Sequence, residues 1–599
     1  MFELGVAFVC GAIWFIWPQA GWLPLLIALI PWVIRLPGNH LTFKRTAFDI
    51  PIAIFLASAL VGVWAAYDRE AAWAKFWWIV GSILLYFALA RQPRANVWPV
   101  VGLITIFGFL LAGYFLLTYN WVDQPVKIGF VNPIARVWMS FRPGLPFPPP
   151  DSDVTAGVLA ILAPFPLALG MQSWRKGRWE SWRLLLLAGL AGLTILWALF
   201  LAAERLPWLA LIAAGVVWLG WELCVPLGRS IHQRPQAVFG VGLVVVVLLG
   251  LALVIASPGG VKSLSDRLPG PNEADSRTSL WSNALKLVGD YPITGAGLQA
   301  FPGQYSQYIL VIPFNYVDNS HNLFLEVAIE QGILALMALV VILGGSYGLL
   351  ILGKPDGDRA IEMDTFFTLR GALLAGLTVL VLHGLVENAL YGSRDVWFLF
   401  VLPGLVIATT HTETKQPKPV SDKRRQKAIL VGGLAIILLV LVSFWRPLLA
   451  TWYADLGAIE MARAELVHFP VGKWEDPAET TALAPAESQF LKALRLNPQD
   501  RTSLHRLGLI AMRKGDFLTA VTQLERAFVL DPAARGVRKE LGYSYAWTGQ
   551  IDQAVNILES IPEARSEMDV YSRWWSEQGR PELADYARRV WEKLSQNNY

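Results

Sequence analysis

Apolar runs of bilayer-spanning length recur along the first three quarters of the chain, and they leave little choice of fold. They fall at about 4–17, 22–35, 48–66, 75–90, 97–118, 154–171, 184–201, 206–224, 237–256, 322–352, 366–388, 396–410 and 428–446. The hydrocarbon layer is about 30 Å thick, and a helix needs about 20 apolar residues to cross it. No water there satisfies an exposed backbone, so each run must be helical. The first two runs are short and are expected to form a tight hairpin around Pro18 and Gly21. The expected fold is all-α: a polytopic membrane bundle of about 12–13 helices.

Composition agrees. Of 599 residues, 55% are hydrophobic and only 16% charged, which excludes an ordinary soluble enzyme. The net charge of +4 carries no basic patch with interleaved aromatics, so nucleic acid is not a partner. Cys10 and Cys224 both fall in apolar runs and offer neither a disulfide framework nor a metal site. The N-terminus reaches Pro18 without a small-residue cleavage site and reads as a signal anchor.

Lysine and arginine in the short loops set the orientation. Alternate loops carry Arg35, Lys44 and Arg45, then Arg91 and Arg94, then Arg175, Lys176, Arg178 and Arg183. The same set continues with Arg229 and Arg234, Lys354 and Arg359, and a cluster from Lys415 to Lys427. The opposite short loops hold only Arg69, Arg205 and Arg394, and the long segments 119–153 and 257–320 on that side count less in this rule. The basic set is expected to be cytoplasmic. Arg205, the polar stretch 257–320, His321 and the C-terminal region then face the other side.

From Trp452 the composition becomes that of a soluble domain, and a period of 34 residues appears. Ala486, Ala520 and Ala554 keep it, as do Pro498 and Pro532, Gly508 and Gly542, and Gly515 and Gly549. Small residues at these places let antiparallel helices approach, and the prolines end the second helix of each pair. The pattern resembles tetratricopeptide repeats and implies an α-solenoid over 451–599, following a membrane domain over 1–450. Such repeats serve as spacers or as docking surfaces for a protein partner.

Between the ninth and tenth runs lies the long polar stretch Ser257 to Gly332. It contains Arg267, Arg277, Lys286, the amphipathic piece SRTSLWSNALKLVGDYP, Gly295, Gly297 and SHNLFLEVAIEQG. The amphipathic piece is suited to lying on the membrane plane. His321 stands where the chain re-enters the bilayer. Two readings fit it: a helix-capping interfacial histidine, or a general base for a hydroxyl or amine. Asn322, Glu326 and Glu330 share one helix face behind it. Carboxylates at that depth need a cavity or partners. Arg205 reads either as an interfacial arginine paired with Glu204 or as an anion ligand; with Arg277 and Arg267 on its side, an anionic substrate gains weight. His383, Glu387 and Asn388 form a candidate second wall, with His383 and Glu387 on one helix face. Asp151 and Asp153 follow a proline run and are a poor cation site. No metalloprotease, nucleophile-elbow or phosphate-loop motif is present.

SRTSLWSNALKLVGDYPITGAGLQAF followed by SHNLFLEVAIEQGILAL resembles the core of the O-antigen ligase and O-antigen polymerase superfamily. AAERLPWLALIAAG resembles the family's arginine-bearing segment. DSDVTAGVLAILAPFPLAL resembles a segment that usually carries a Pro-Asn pair, where Ser152 and Asp153 stand here. The resemblance covers roughly 150–410. It implies a membrane-embedded glycosyltransferase of the GT-C type that works without a metal or other cofactor. Its donor would be an undecaprenyl-diphosphate-linked glycan, and its acceptor a glycan, lipid or protein on the outer face of the cytoplasmic (inner) membrane. Carried over, Arg205 and Arg277 would hold the diphosphate and His321 would activate the acceptor, with inversion. Membrane lipid surrounds the whole. Two readings of another class compete: a polysaccharide transporter, which would show repeated halves with broken helices, and a repeat-bearing membrane scaffold, which would need neither His321 nor Arg205.

Overall fold

The computed structural model describes residues 1–35, 45–126, 128–145, 147–176, 181–230, 277–309, 317–353, 360–388, 390–392, 394–410, 439, 442–467, 469–470 and 481–596. The expected span at 237–256, most of that at 428–446, and Arg267 lie outside the described residues. Among the described residues there is no strand, and the chain is an all-α polytopic membrane protein.

The helices before the polar stretch are α1 (Phe2–Ile16), α2 (Leu23–Ala28), α3 (Ile30–Arg35), α4 (Asp49–Ala65), α5 (Arg69–Ala90), α6 (Val97–Thr118), α7 (Val131–Phe141), α8 (Ser152–Leu162), α9 (Pro164–Lys176), α10 (Ser181–Ala202) and α11 (Arg205–Ser230). Then come α12 (Arg277–Asp290), α13 (Phe301–Ile309), α14 (Leu323–Leu352), α15 (Ala360–Gly384) and α16 (Val401–Thr410). The last part holds α17 (Trp445–Glu465), α18 (Ala484–Leu496), α19 (Arg501–Arg513), α20 (Phe517–Leu530), α21 (Arg535–Trp547), α22 (Ile551–Leu558), α23 (Ala564–Glu577) and α24 (Pro581–Gln596).

Among the described residues, seven helical stretches are long and apolar enough to cross a bilayer: Arg69–Ala90, Arg94–Thr118, Ser152–Arg175, Ser181–Ala202, Arg205–Leu223, Leu323–Leu352 and Phe366–Gly384. Local chemistry sets their ends. Asp68 caps α5 by accepting from the amides of Glu70 and Ala71 at 3.0 and 3.1 Å. Asp151 caps α8 through the Val154 amide at 2.9 Å.

Several expected boundaries move. The run 22–35 is two short helices meeting at Leu29, so with α1 it forms a folded-back hairpin of short pieces. The run 366–388 stops being helical at Gly384. The carbonyls of Leu385 and Val386 instead accept from Asn322 Nδ2 and the Arg277 guanidinium. Glu387 therefore lies beyond the helix that carries His383. The run 396–410 begins with a 3-10 turn, Arg394–Phe398, before α16. The 450/451 boundary falls inside α17.

The polar stretch is built into the membrane bundle through a break in α14. Gly332 has φ +81° and ψ 177°, which interrupts the helix. The freed carbonyls of Ile329 and Glu330 accept from the amides of Ala296 and Gly297 at 2.6 and 3.2 Å, and the Ile333 amide donates to Pro292 O at 3.0 Å. These three backbone groups at the break are thus used again, as burial requires. Gly295, at φ +71°, lies so close that a Cβ would fall 2.4 Å from the Glu330 carbonyl carbon. Only glycine meets both demands.

Two large apolar cores result, with a small satellite around Leu504, Ala527, Ala534 and Val537. One runs through the membrane helices. The other joins Leu280, Tyr291, Phe301 and Tyr308 of the polar stretch to residues such as Phe490, Leu524, Trp547 and Trp575. The buried side of α12, with Leu280, Ala284 and Leu287, is thus packed against protein rather than laid on a free membrane plane. Burying an aromatic of this size contributes about 1.5–3 kcal/mol, so the second core binds the stretch firmly to the C-terminal helices. Those helices repeat in register: α19 and α21 start at 501 and 535, α20 and α22 at 517 and 551.

Candidate active site

α12 carries Arg277 at its first residue. α14 begins at Asn322, whose side chain accepts from the Phe324 and Leu325 amides at 2.9 and 3.0 Å. That cap leaves His321 outside the helix, at φ +48°. A left-handed conformation is uncommon for histidine. It is fixed here because the His321 amide donates to Asn319 Oδ1 at 2.9 Å and Ser320 is tied on both sides. The Ser320 amide donates to Glu326 at 2.9 Å, and its carbonyl accepts from Trp281 Nε1 of α12 at 3.0 Å.

The turn after α15 brings Glu387 to this point. Its Oε1 lies 2.8 Å from His321 Nδ1, and its Oε2 lies 3.5 Å from Arg277 Nη2. Burial alone would favour a neutral Glu387, but the His321 imidazole and the Arg277 guanidinium outweigh it and hold the carboxyl below the usual carboxylate range. A carboxylate at Nδ1 fixes the proton there, which leaves Nε2 with its lone pair. His321 is about a fifth exposed, whereas Arg277 and Glu387 are each 11% exposed. Arg277 Nε has no hydrogen-bond partner among the described residues.

The remaining expected residues separate into groups. Asn322, Glu326 and Glu330 are buried, but they hold backbone and charge inside the protein. Glu330 pairs with Lys75 of α5 at 2.7 Å and accepts from the Gln299 amide at 2.9 Å. His383 is buried beside Glu387 in a cavity of about 10 Å³, lined also by Gly157, Ile161 and Leu323. That is room for one water at most. Neither ring nitrogen of His383 has a hydrogen-bond partner among the described residues. Asn388 is buried nearby.

Arg205 is not brought into the cluster. It opens α11 and is exposed. Glu204 beside it lines a separate cavity of about 430 Å³ with Tyr119, Asp151 and Asp153. No three of the described His, Cys, Asp and Glu residues converge as metal ligands.

Residues 190–340 match the family model described as O-antigen ligase. The chain thus carries a segment similar to the O-antigen ligase superfamily. It is a membrane protein of the glycan ligase and polymerase kind. The matched segment holds Arg205, Arg277 and His321, while Glu387 lies beyond it. No curated protein and no solved structure matches the chain.

Sequence reasoning missed several residues that hold this site together. Lys75 stands at the edge of an apolar run, where a lysine at membrane depth is the available signal. Trp281, Gln299 and Tyr391 carry no local signal. Tyr391 accepts Lys75 over its ring at 3.8 Å.

Proposed function

We propose that the protein transfers a glycan from an undecaprenyl-diphosphate-linked donor to a hydroxyl-bearing acceptor at the outer face of the cytoplasmic membrane. The observation that carries this reading is the His321–Glu387–Arg277 cluster at the membrane re-entry of α14, with His321 Nδ1 2.8 Å from Glu387. His321 Nε2 takes the acceptor proton as the acceptor oxygen attacks the anomeric carbon. The bond from that carbon to the diphosphate oxygen breaks, and the configuration inverts because the nucleophile enters opposite the leaving group. Arg277, with Nε uncommitted, carries the charge that develops on the diphosphate. Guanidinium groups suit this task, so the step is assigned to them rather than to a metal ion. Glu387 orients His321 and stabilises the imidazolium. Arg205, exposed at the end of α11, meets the diphosphate on arrival rather than at the reacting carbon.

The membrane domain is then the transferase, and the C-terminal helices are tetratricopeptide-like repeats on the same side as the polar stretch. The acceptor is a lipid-borne glycan, a growing polymer or a protein. The test is transfer by purified protein from a lipid-linked glycan to a panel of these acceptors, with and without EDTA. Transfer that survives EDTA supports the reading. Purified, folded protein that transfers nothing to any acceptor, or activity that EDTA removes, contradicts it.

A further inference from the structure

A second cleft opens at the same end of α5 as the loop contacts, on the opposite face from Lys75. It has a volume of about 630 Å³ and is lined chiefly by Gln19, Trp22, Asp68, Glu70, Trp73 and Trp77. Its wall is formed by the indoles of Trp73 and Trp77, with buried Trp14 stacked behind them. Trp14 stacks on Trp77 at 5.5 Å and 13°, and Trp77 stacks on Trp73 at 5.8 Å and 19°. Trp14 is anchored by donating Nε1 to Gly21 O at 2.7 Å, and Phe76 braces Trp73 edge-on at 5.3 Å. The outermost indole, Trp73, remains 41% exposed, and Trp22 across the cleft 59%. Asp68 uses one oxygen to cap α5, and Glu70 beside it is exposed.

We propose that this cleft binds carbohydrate, namely sugar residues of the glycan remote from the reacting end. The inference rests on the glycan-transfer reading and deepens it. A pyranose ring presents one face of weakly positive C–H groups, which lie on the negative face of an indole. Its hydroxyls donate to carboxylates and amides, which Asp68, Glu70 and Gln19 supply. Two acids at the rim repel phosphate, which rules against an anionic lipid headgroup. Interfacial tryptophans alone are common in membrane proteins. A pre-stacked, braced series lining a cleft with two carboxylates is a more specific arrangement.

The placement fits a distal subsite. Trp73 and Trp77 are four residues apart on one face of α5, while Lys75 between them meets Glu330 on the other. The thickness of a helix, about 10 Å, separates the cleft from Glu330, which lies on the same helix as the Asn322 cap beside His321. The next residue to Asp68, Tyr67, touches Gly303 of α13, so both open toward the polar stretch.

The experiment has two arms. Full-length protein is titrated calorimetrically with soluble neutral oligosaccharides of increasing length, with inositol phosphate as the anionic control. Transfer is measured in parallel from donors bearing short and long glycans. Trp73→Ala should weaken oligosaccharide binding about three- to tenfold and raise KM for long-glycan donors, leaving short-glycan donors unchanged. Trp73→Phe should restore part of the binding, and Glu70→Gln should weaken it without altering the aromatic wall. Binding equal in wild type and Trp73→Ala, preference for inositol phosphate, or an equal loss with short and long donors overturns the proposal. If transfer occurs but no oligosaccharide binds, the cleft assignment fails while the transferase reading stands. If Trp73-dependent binding occurs without transfer, the reverse holds.

Discussion

The two ends of α12 carry two clusters built from the same groups, and they have opposite characters. At the N-terminal end Arg277 meets Glu387 and His321, partly open and with His321 Nε2 and Arg277 Nε left over. At the C-terminal end Asp290 meets Arg501 at 2.5 Å, Arg506 at 3.3 Å and Thr502 at 2.7 Å, and both Asp290 and Arg506 are fully buried. Both clusters leave guanidinium nitrogens without a hydrogen-bond partner among the described residues, Arg277 Nε in the first and Arg501 Nη1, Arg506 Nε and Arg506 Nη1 in the second, but Asp290 and Arg506 are shut from solvent while His321 is partly open. Arginine and carboxylate alone do not mark a reactive site. What marks one is unfilled hydrogen-bonding capacity beside an access route. One helix of 14 residues links the C-terminal helices to the residue proposed to meet the diphosphate.

The strongest way to break this comparison is to remove the closed end altogether. Truncation after Ala450 would strip the partners of Tyr291, Phe301 and Tyr308, all buried in the second core. Transfer should fall to background, and α12 should become protease-sensitive. A truncated protein that stays folded and active would show that the repeats do not hold the site.

A smaller effect comes from Asp290→Ala, which leaves Arg501 and Arg506 buried without their anion. Breaking a buried pair in this way costs about 3–5 kcal/mol, to be read as a lowered unfolding midpoint. The same carboxylate gives a pH dependence. Burial opposes its charge, but Arg501 and Arg506 prevail and lower its pKa. A depressed folded-state value stabilises above the unfolded value of about 3.9 and loses that contribution as pH falls through the folded value. Acid should therefore loosen α12 from the repeats, seen as faster amide exchange in 277–290, and Asp290→Asn should abolish that acid step.

The open end should respond through chemistry instead. Arg277→Ala should lower transfer roughly ten- to a hundredfold, the cost of a charge-assisted contact left unmade, with little change in unfolding. Arg277→Lys should rescue part of it, since a point charge cannot reproduce a fork. Arg205→Ala should have the smallest effect, on donor affinity alone, because Arg205 is exposed and outside the cluster. A loss as large as that of Arg277→Ala would place it at the reacting centre.

Much of this architecture was legible in the residues. Apolar runs located the membrane helices, because backbone in lipid has one solution per run. The 34-residue period has its counterpart in helices that start 34 residues apart, at 501 and 535, because small residues must recur where helices touch. SHN marks a helix entry, but the cap is Asn322 rather than His321. What stayed hidden depends on distant chain segments. The Asp290–Arg506 contact spans 216 residues and the His321–Glu387 contact 66, with no pattern linking either pair. The helix break at Gly332 was equally silent, since glycine inside an apolar run is common in membrane helices.

The central claim is that His321 acts as a base oriented by Glu387, and the most direct test is the pre-steady-state transfer rate of purified His321→Ala and Glu387→Gln with donor saturating. Loss of a general base costs on the order of 10²–10⁴-fold in rate. The account predicts a loss in that range for His321→Ala with donor affinity unchanged, and a smaller loss for Glu387→Gln with an altered pH–rate profile. A His321→Ala protein that transfers at close to the wild-type rate would contradict it.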